Sequence, residues 1–144
     1  MVVTNFDKSL SELKNETVRV AAANCYTDFR ASVQLLFGNG TRLRADYWRV
    51  KKNGSASRSS FDHEQKYGSP APIDAVEDLK SQLGDKVLID VRLDKETGDL
   101  LFRFSDGINF HVFNFTAYEV WEIHFPDGTG EYSNYIYQFP AASS

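Results

Sequence analysis

Apolar residues along this chain recur mostly at every second position, the period of a half-buried strand, with two interruptions at helical spacing. The first interruption is Asp7 to Asn15. Phe6, Leu10 and Leu13 share one face there, and Asp7 or Ser9 is placed to cap the helix. Strand spacing follows through Val18, Val20 and Ala22. Two alternating runs, Ser32 to Phe37 and Thr41 to Val50, then flank Gly38-Asn39-Gly40. A two-residue Asn39-Gly40 loop would place Phe37 opposite Arg42 and mix the faces. A three-residue loop pairs Phe37 with Thr41, Leu35 with Leu43 and Val33 with Ala45. That register gathers the apolar residues on one face and gives Gly40 the left-handed backbone such loops need. Lys51 to Tyr67 is polar and serine-rich and reads as a long loop, closed by Pro70 and Pro72.

The second helical stretch begins at Asp74, an N-cap residue. It carries Ile73, Val76, Leu79 and Leu83 on one face and stops at Gly84. Lys86 to Leu93 is an expected strand with Val87, Ile89, Val91 and Leu93 on one side. Leu100 to Phe104 and Ile108 to Phe115 form an expected hairpin around Ser105-Asp106-Gly107, pairing Phe104 with Ile108 and Phe102 with Phe110. Tyr118 to Phe125 and Tyr132 to Phe139 read as a last strand pair around Pro126-Asp127-Gly128. Alternation in the first of these turns Trp121, Ile123 and Phe125 inward and leaves Glu122 and His124 outward.

The order helix, strand, hairpin therefore occurs twice. A shift of 67 residues lays Val33 to Phe37 on Leu100 to Phe104 and Gly40 on Gly107. The expected fold is α+β: a mainly antiparallel sheet, or two sheets, of seven to eight strands in all. It consists of two similar helix–strand–hairpin units with two helices packed on the strands. One domain spans 1–144, with a candidate internal duplication of 6–50 and 73–125 joined by the loop 51–72.

Composition narrows the classes. With 144 residues, 42% hydrophobic and 25% charged, the chain can bury a core and is not of disordered type. A single cysteine, Cys25, excludes an internal disulfide framework. Residues 1–15 lack a basic start followed by an apolar run, and no stretch approaches the roughly 18 apolar residues of a membrane helix, so a cytoplasmic protein without membrane contact is expected. The net charge of −4 divides unevenly, +5 over residues 1–60 and −9 over 61–144. Such asymmetry can mark a contact surface or two segments that neutralise each other in the fold.

The second half resembles a bacterial family of small domains. The likeness rests on Thr97-Gly98-Asp99-Leu100-Leu101-Phe102-Arg103-Phe104-Ser105-Asp106-Gly107, on Phe110 with Val112-Phe113, and above all on Tyr118-Glu119-Val120-Trp121-Glu122-Ile123. Val33 to Leu43 and the helix at Asp74 to Leu83 resemble that family's first hairpin and linker helix. Similar small domains occur among immunity proteins of bacterial toxin systems; the resemblance implies a fold and a bacterial origin, and no catalytic residues. The Tyr132 to Phe139 extension departs from the family's pattern.

Candidate chemistry is sparse. Cys25 sits in or at the end of an apolar strand, where a small buried hydrophobe is the ordinary role. No nucleophile elbow, phosphate loop or dinucleotide fingerprint occurs. The histidines His63, His111 and His124 have no ligand spacing, so no metal and no cofactor is expected. Arg42, Arg44, Arg49, Lys51, Lys52 and Arg58, with Tyr47 and Trp48 among them, could suit single-stranded nucleic acid, but the pI near 5.3 argues against that partner. If Leu43, Ala45 and Tyr47 face the core, Trp48 and Val50 face the other way, under a second layer or in an exposed patch. The expectation is a non-enzymatic module that binds another protein, or itself as a weak homodimer, in the manner of an immunity-type inhibitor. Arg42, Arg44, Trp48, Glu119, Glu122 and His124 are the candidate contacts. The alternative is a hydrolase or metal-dependent enzyme using His111, His124 and neighbouring Glu residues.

Overall fold

The computed structural model describes residues 5–23, 31–116 and 118–133; Cys25 and the part of the expected last strand beyond Ser133 lie outside them. Among the described residues the chain forms helix α1 (Asn5–Ser11), strands β1 (Val18–Ala22), β2 (Val33–Phe37), β3 (Arg42–Ala45), β4 (Trp48–Lys52) and β5 (Ser55–Ser59), and helix α2 (Ala75–Leu83). Strands β6 (Leu88–Leu93), β7 (Leu100–Phe104), β8 (Ile108–Val112), β9 (Trp121–His124) and β10 (Gly130–Tyr132) follow. The fold is α+β and mainly sheet, with ten strands among the described residues in place of the seven to eight expected. All strand pairs are antiparallel. The first sheet runs β1-β2-β3-β9-β10 and the second β5-β4-β8-β7-β6.

Both hairpins take the three-residue register. Leu35 faces Leu43 and Val33 faces Ala45 in the first, and Phe102 faces Phe110 in the second, with Gly40 and Gly107 at φ 97° and 73°. A one-residue slip would turn Arg42 or Arg103 into the core, so burial and loop geometry choose the same answer. Asp74 caps α2 by accepting from Glu77 N at 3.1 Å, and Gly84 ends it. In α1, Leu10 is buried, and Phe6 packs its ring 6.2 Å from that of Trp121.

The strand order shows an exchange. β1-β2-β3 make a meander, but β4 and β5 leave it to extend the second sheet beside β8; β9 and β10 return to extend the first beside β3. The chain changes sheet at Asp46-Tyr47 and again between β8 and β9. Asp46 N donates to Val120 O at 3.0 Å and Phe113 N to Tyr47 O at 2.9 Å, so backbone pairing continues through both crossings. The crossing inserts one residue into the alternation: Leu43 and Ala45 point inward, and so do Trp48 and Val50, all at 0% exposure. Of the two alternatives for Trp48, cover is the outcome.

Several contacts occur in pairs between the two halves, though at no single shift. Trp48 Nε1 donates to Ala31 O at 2.8 Å, and Trp121 Nε1 to Gly98 O at 2.8 Å. Where the edges of the two sheets meet, Thr17 bridges Val87; Asn15 N donates to Leu88 O at 2.8 Å, and Asp85 N to Val18 O at 2.8 Å. Helix α1 packs on β6 and α2 on β1, each against the other half's edge strand. One apolar cluster, including both tryptophans, Phe102 and Phe110, lies between the sheets.

Two expectations fail. The polar stretch after Lys51 is not wholly loop: Ser55–Ser59 is β5, paired to β4 around Asn53-Gly54 with φ 52° and 84°. Two successive positive φ values are the signature of a tight two-residue hairpin, and Asn-Gly is the dipeptide that tolerates them. In β6 a bulge between Leu88 and Asp90 breaks the even alternation. Leu88 is buried and Val91 and Leu93 half-buried, while Ile89 is 51% exposed. No helix among the described residues is long and apolar enough to cross a membrane.

Candidate interaction surface

The largest exposed apolar groups gather partly at the crossing between the sheets. Tyr47, the first residue past the turn from β3, is half-buried. Its ring centroid lies 5.5 Å from that of Phe61 and 4.7 Å from that of Phe115. Phe61 and Phe115 are themselves 60% and 59% exposed, and nearby in sequence Tyr118 is 80% exposed. Each ring is mounted on fixed backbone. Phe61 lies on the short 3₁₀ turn Ser60–Asp62, where Asp62 accepts from Ser59 N at 2.9 Å and from Tyr67 Oη at 2.9 Å. Ser60 Oγ accepts from Trp48 N at 3.1 Å, which ties that turn to β4. Phe115 follows the buried Asn114, whose amide donates to Thr97 O at 2.9 Å and Ser133 O at 3.1 Å. Three aromatic rings held on rigid supports, two of them mostly in water, lose little side-chain entropy when a partner covers them.

The candidate contacts predicted from sequence do not form one patch. Trp48 is sealed in the core, so it cannot touch a partner; the phase change at Asp46-Tyr47 put it there. Arg42, Arg44, Glu122 and His124 share the outer face of the first sheet, where Arg42 stands opposite His124 and Arg44 opposite Glu122. Arg44 Nη2 donates to the backbone oxygen of Glu119 at 2.7 Å, while its Nε lies 3.8 Å from Asp46 and 4.0 Å from Glu122. Burial pushes the Asp46 carboxyl up, against the hydrogen bond from Ser32 and the charge of Arg44. Arg44 thus serves the fold. His124 Nε2 lies 3.8 Å from Glu122 and its ring packs edge-on to Tyr132.

His111 lies in β8 of the second sheet, beside Arg49 of β4, so it cannot join His124 of β9 in one constellation. His63 spends Nδ1 as the acceptor for Ala75 N at 3.1 Å, at the start of α2. Among the described residues, no three His, Cys, Asp or Glu side chains stand close enough to hold a metal ion. The basic stretch is divided as well: Arg42 and Arg44 belong to one sheet, Arg49 and Lys51 to the other, and Arg58 binds Asp78 at 2.8 Å. That separation removes the single basic groove that single-stranded nucleic acid would require.

Sequence reasoning passed over Phe61 and Phe115. The signal was there in part, since Phe61 is an isolated aromatic in a polar stretch. Their meeting at Tyr47 follows from the sheet crossing and is not a local property. No family model matches the chain, and neither curated proteins nor solved structures supply a match.

Proposed function

We propose that this chain is a non-enzymatic module that binds another protein through the aromatic cluster of Tyr47, Phe61 and Phe115. The observation carrying the reading is that two large rings, each more than half exposed, pack on a third at the sheet crossing, Phe61 stacked and Phe115 edge-on. Clustered, preorganised aromatics are the side chains that dominate protein–protein binding energy. The acidic balance of residues 61–144 favours a partner with a basic rim. An immunity-type inhibitor of a basic toxin fits this description, as does a second copy of the chain meeting it through residues 1–60. The recurring tryptophan and edge contacts support a further reading: the two halves are copies of one unit that exchange their last two strands.

A photo-reactive amino acid at position 61 tests the proposal in cells of the source organism, with a control at Arg42 on the first sheet. The partner found by mass spectrometry is then purified and titrated against the parent and the Phe61→Ala, Phe115→Ala double variant. Affinity should fall by about 100-fold, given typical costs of losing two anchor residues. Equal binding by both proteins, or adducts from position 42 alone, would refute the assignment.

A further inference from the structure

On the outer face of the second sheet lies a cleft of about 500 Å³ lined by Arg49, Arg92, Asp99, Leu101, His111 and Phe113, among others. Its volume falls in the range of small-molecule sites. Arg49 of β4 and His111 of β8 are directly opposed in the ladder, with Nη2 2.8 Å from His111 Nδ1. A guanidinium only donates, so Nδ1 accepts and His111 is neutral with its proton on Nε2. The guanidinium carbon lies 5.3 Å from the centre of the Phe113 ring. Arg49 Nε is buried with no hydrogen-bond partner. Among the described residues, Arg49 contacts the neutral His111 ring and the Phe113 ring and makes no ion pair.

A cation held against an aromatic ring and a neutral imidazole, with one donor unused, is completed by an anion. The rest of the lining limits which anion. Leu101 and Phe113 supply an apolar wall. Asp94 and Asp99 add negative charge at the rim, and both are fixed by backbone: Asp94 accepts from Glu96 N at 2.9 Å, and Asp99 from Asn114 N at 2.7 Å. Arg92 lies 3.7 Å from Asp90 on its own strand. Two fixed carboxylates repel a multiply charged ligand such as a phosphate and tolerate a single negative charge placed on Arg49. We propose that this cleft binds a small organic monocarboxylate with a planar apolar body, its carboxylate on Arg49 and its body against Phe113 and Leu101. The first sheet provides the contrast: there the cross-strand partner of Arg44 is Glu122, and the position is closed.

Benzoate is the probe. The measurement is backbone and histidine chemical shift at pH 7.5, with benzamide as the neutral analogue and inorganic phosphate as the multiply charged one. Benzoate should bind saturably with a dissociation constant on the order of millimolar, as expected for a ligand of this size. Shifts should centre on Arg49, His111 and Phe113, and benzamide and phosphate should leave them unmoved. The charges facing His111 are Arg49 and Lys51 from β4 and Asp99 from the turn before β7, with Arg92 and Asp94 elsewhere in the cleft. A bound carboxylate adds to the negative side, so the His111 titration should move upward. Arg49→Met should weaken benzoate at least about tenfold. Arg49→Lys, which keeps the charge but loses the fork, should weaken it less. Arg103→Met, on exposed surface of the same sheet, should change nothing. Absence of shifts up to about 50 mM benzoate, a range covering even weak binding, would overturn the site. So would equal binding by Arg49→Met, or phosphate binding as well as benzoate.

Discussion

Arg44 and Arg49 lie five residues apart in one bent stretch of chain, yet they stand on the outer faces of different sheets. Each faces a central cross-strand neighbour supplied by the other half of the sequence, Glu122 for Arg44 and His111 for Arg49. Neither Nε makes a hydrogen bond. The difference is charge. Arg44 has two carboxylates within 4.0 Å and a backbone oxygen at 2.7 Å, so it compensates the buried Asp46. Arg49 has an imidazole and a phenyl ring. Similar ladders thus produce one closed position and one open one, and a single change of partner, Glu to His, separates structure from a candidate site.

The comparison can be broken most forcefully at the tryptophans beneath these ladders. Trp48 and Trp121 are both fully buried, each with its indole N–H 2.8 Å from a loop carbonyl. Trp48→Ala and Trp121→Ala should each cost about 3–5 kcal/mol in urea unfolding. If the two sheets are built alike, the costs should agree within about 1 kcal/mol; a midpoint unchanged for either would place that strand on the surface.

The hairpin glycines sharpen the same point at smaller scale. Gly107 has φ 73°, and a Cβ there would press on the Asn53 side chain, whereas one at Gly40, φ 97°, would have only Pro126 Cγ at 3.7 Å. Both Ala substitutions strain the backbone, by about 1–3 kcal/mol for a residue held in a sparsely populated region. Gly107→Ala should be the worse, and thermal unfolding of the two variants side by side decides it.

The smallest effect is a pH slope. Burial, followed by the charges of Arg49 and Lys51, holds His111 below its ordinary 6.5. The unfolded chain then binds the proton more readily than the folded one, so stability falls as pH drops through about 6.5 toward the lower folded value. His111→Gln, which keeps a neutral acceptor for Arg49, should flatten that part of the profile between pH 7.5 and 5. Asp46 works in the opposite sense. Its raised folded value means that the stability it contributes is present below 3.8 and is lost as pH rises through the folded value.

Local chemistry made the hairpin registers, the Asp74 cap and the inward face of Trp121 readable from sequence, because each depends on residues within a few positions of one another. The Asn53-Gly54 turn was equally local, but the serines after it masked a strand of low apolar content, β5. The exchange of strands could not be read this way. It depends on one extra position in the Asp46-Tyr47 crossing, which carries the chain from one sheet to the other and resets the alternation. Everything at the candidate sites follows from that step. It buries Trp48, brings Tyr47 to Phe115, and sets Arg49 beside a histidine 62 positions away.

The central claim is that Arg44 belongs to the fold and Arg49 is open to a ligand, and urea unfolding of Arg44→Met and Arg49→Met at pH 7.5 tests it most directly. Arg44→Met leaves the buried Asp46 and its neighbour Glu122 without their cation and should lose about 1–3 kcal/mol. Arg49→Met strands no carboxylate among the described residues and should stay within about 0.5 kcal/mol of the parent. Equal losses, or a larger loss at Arg49, would mean that both arginines are structural and that the second sheet's cleft is closed by the protein itself.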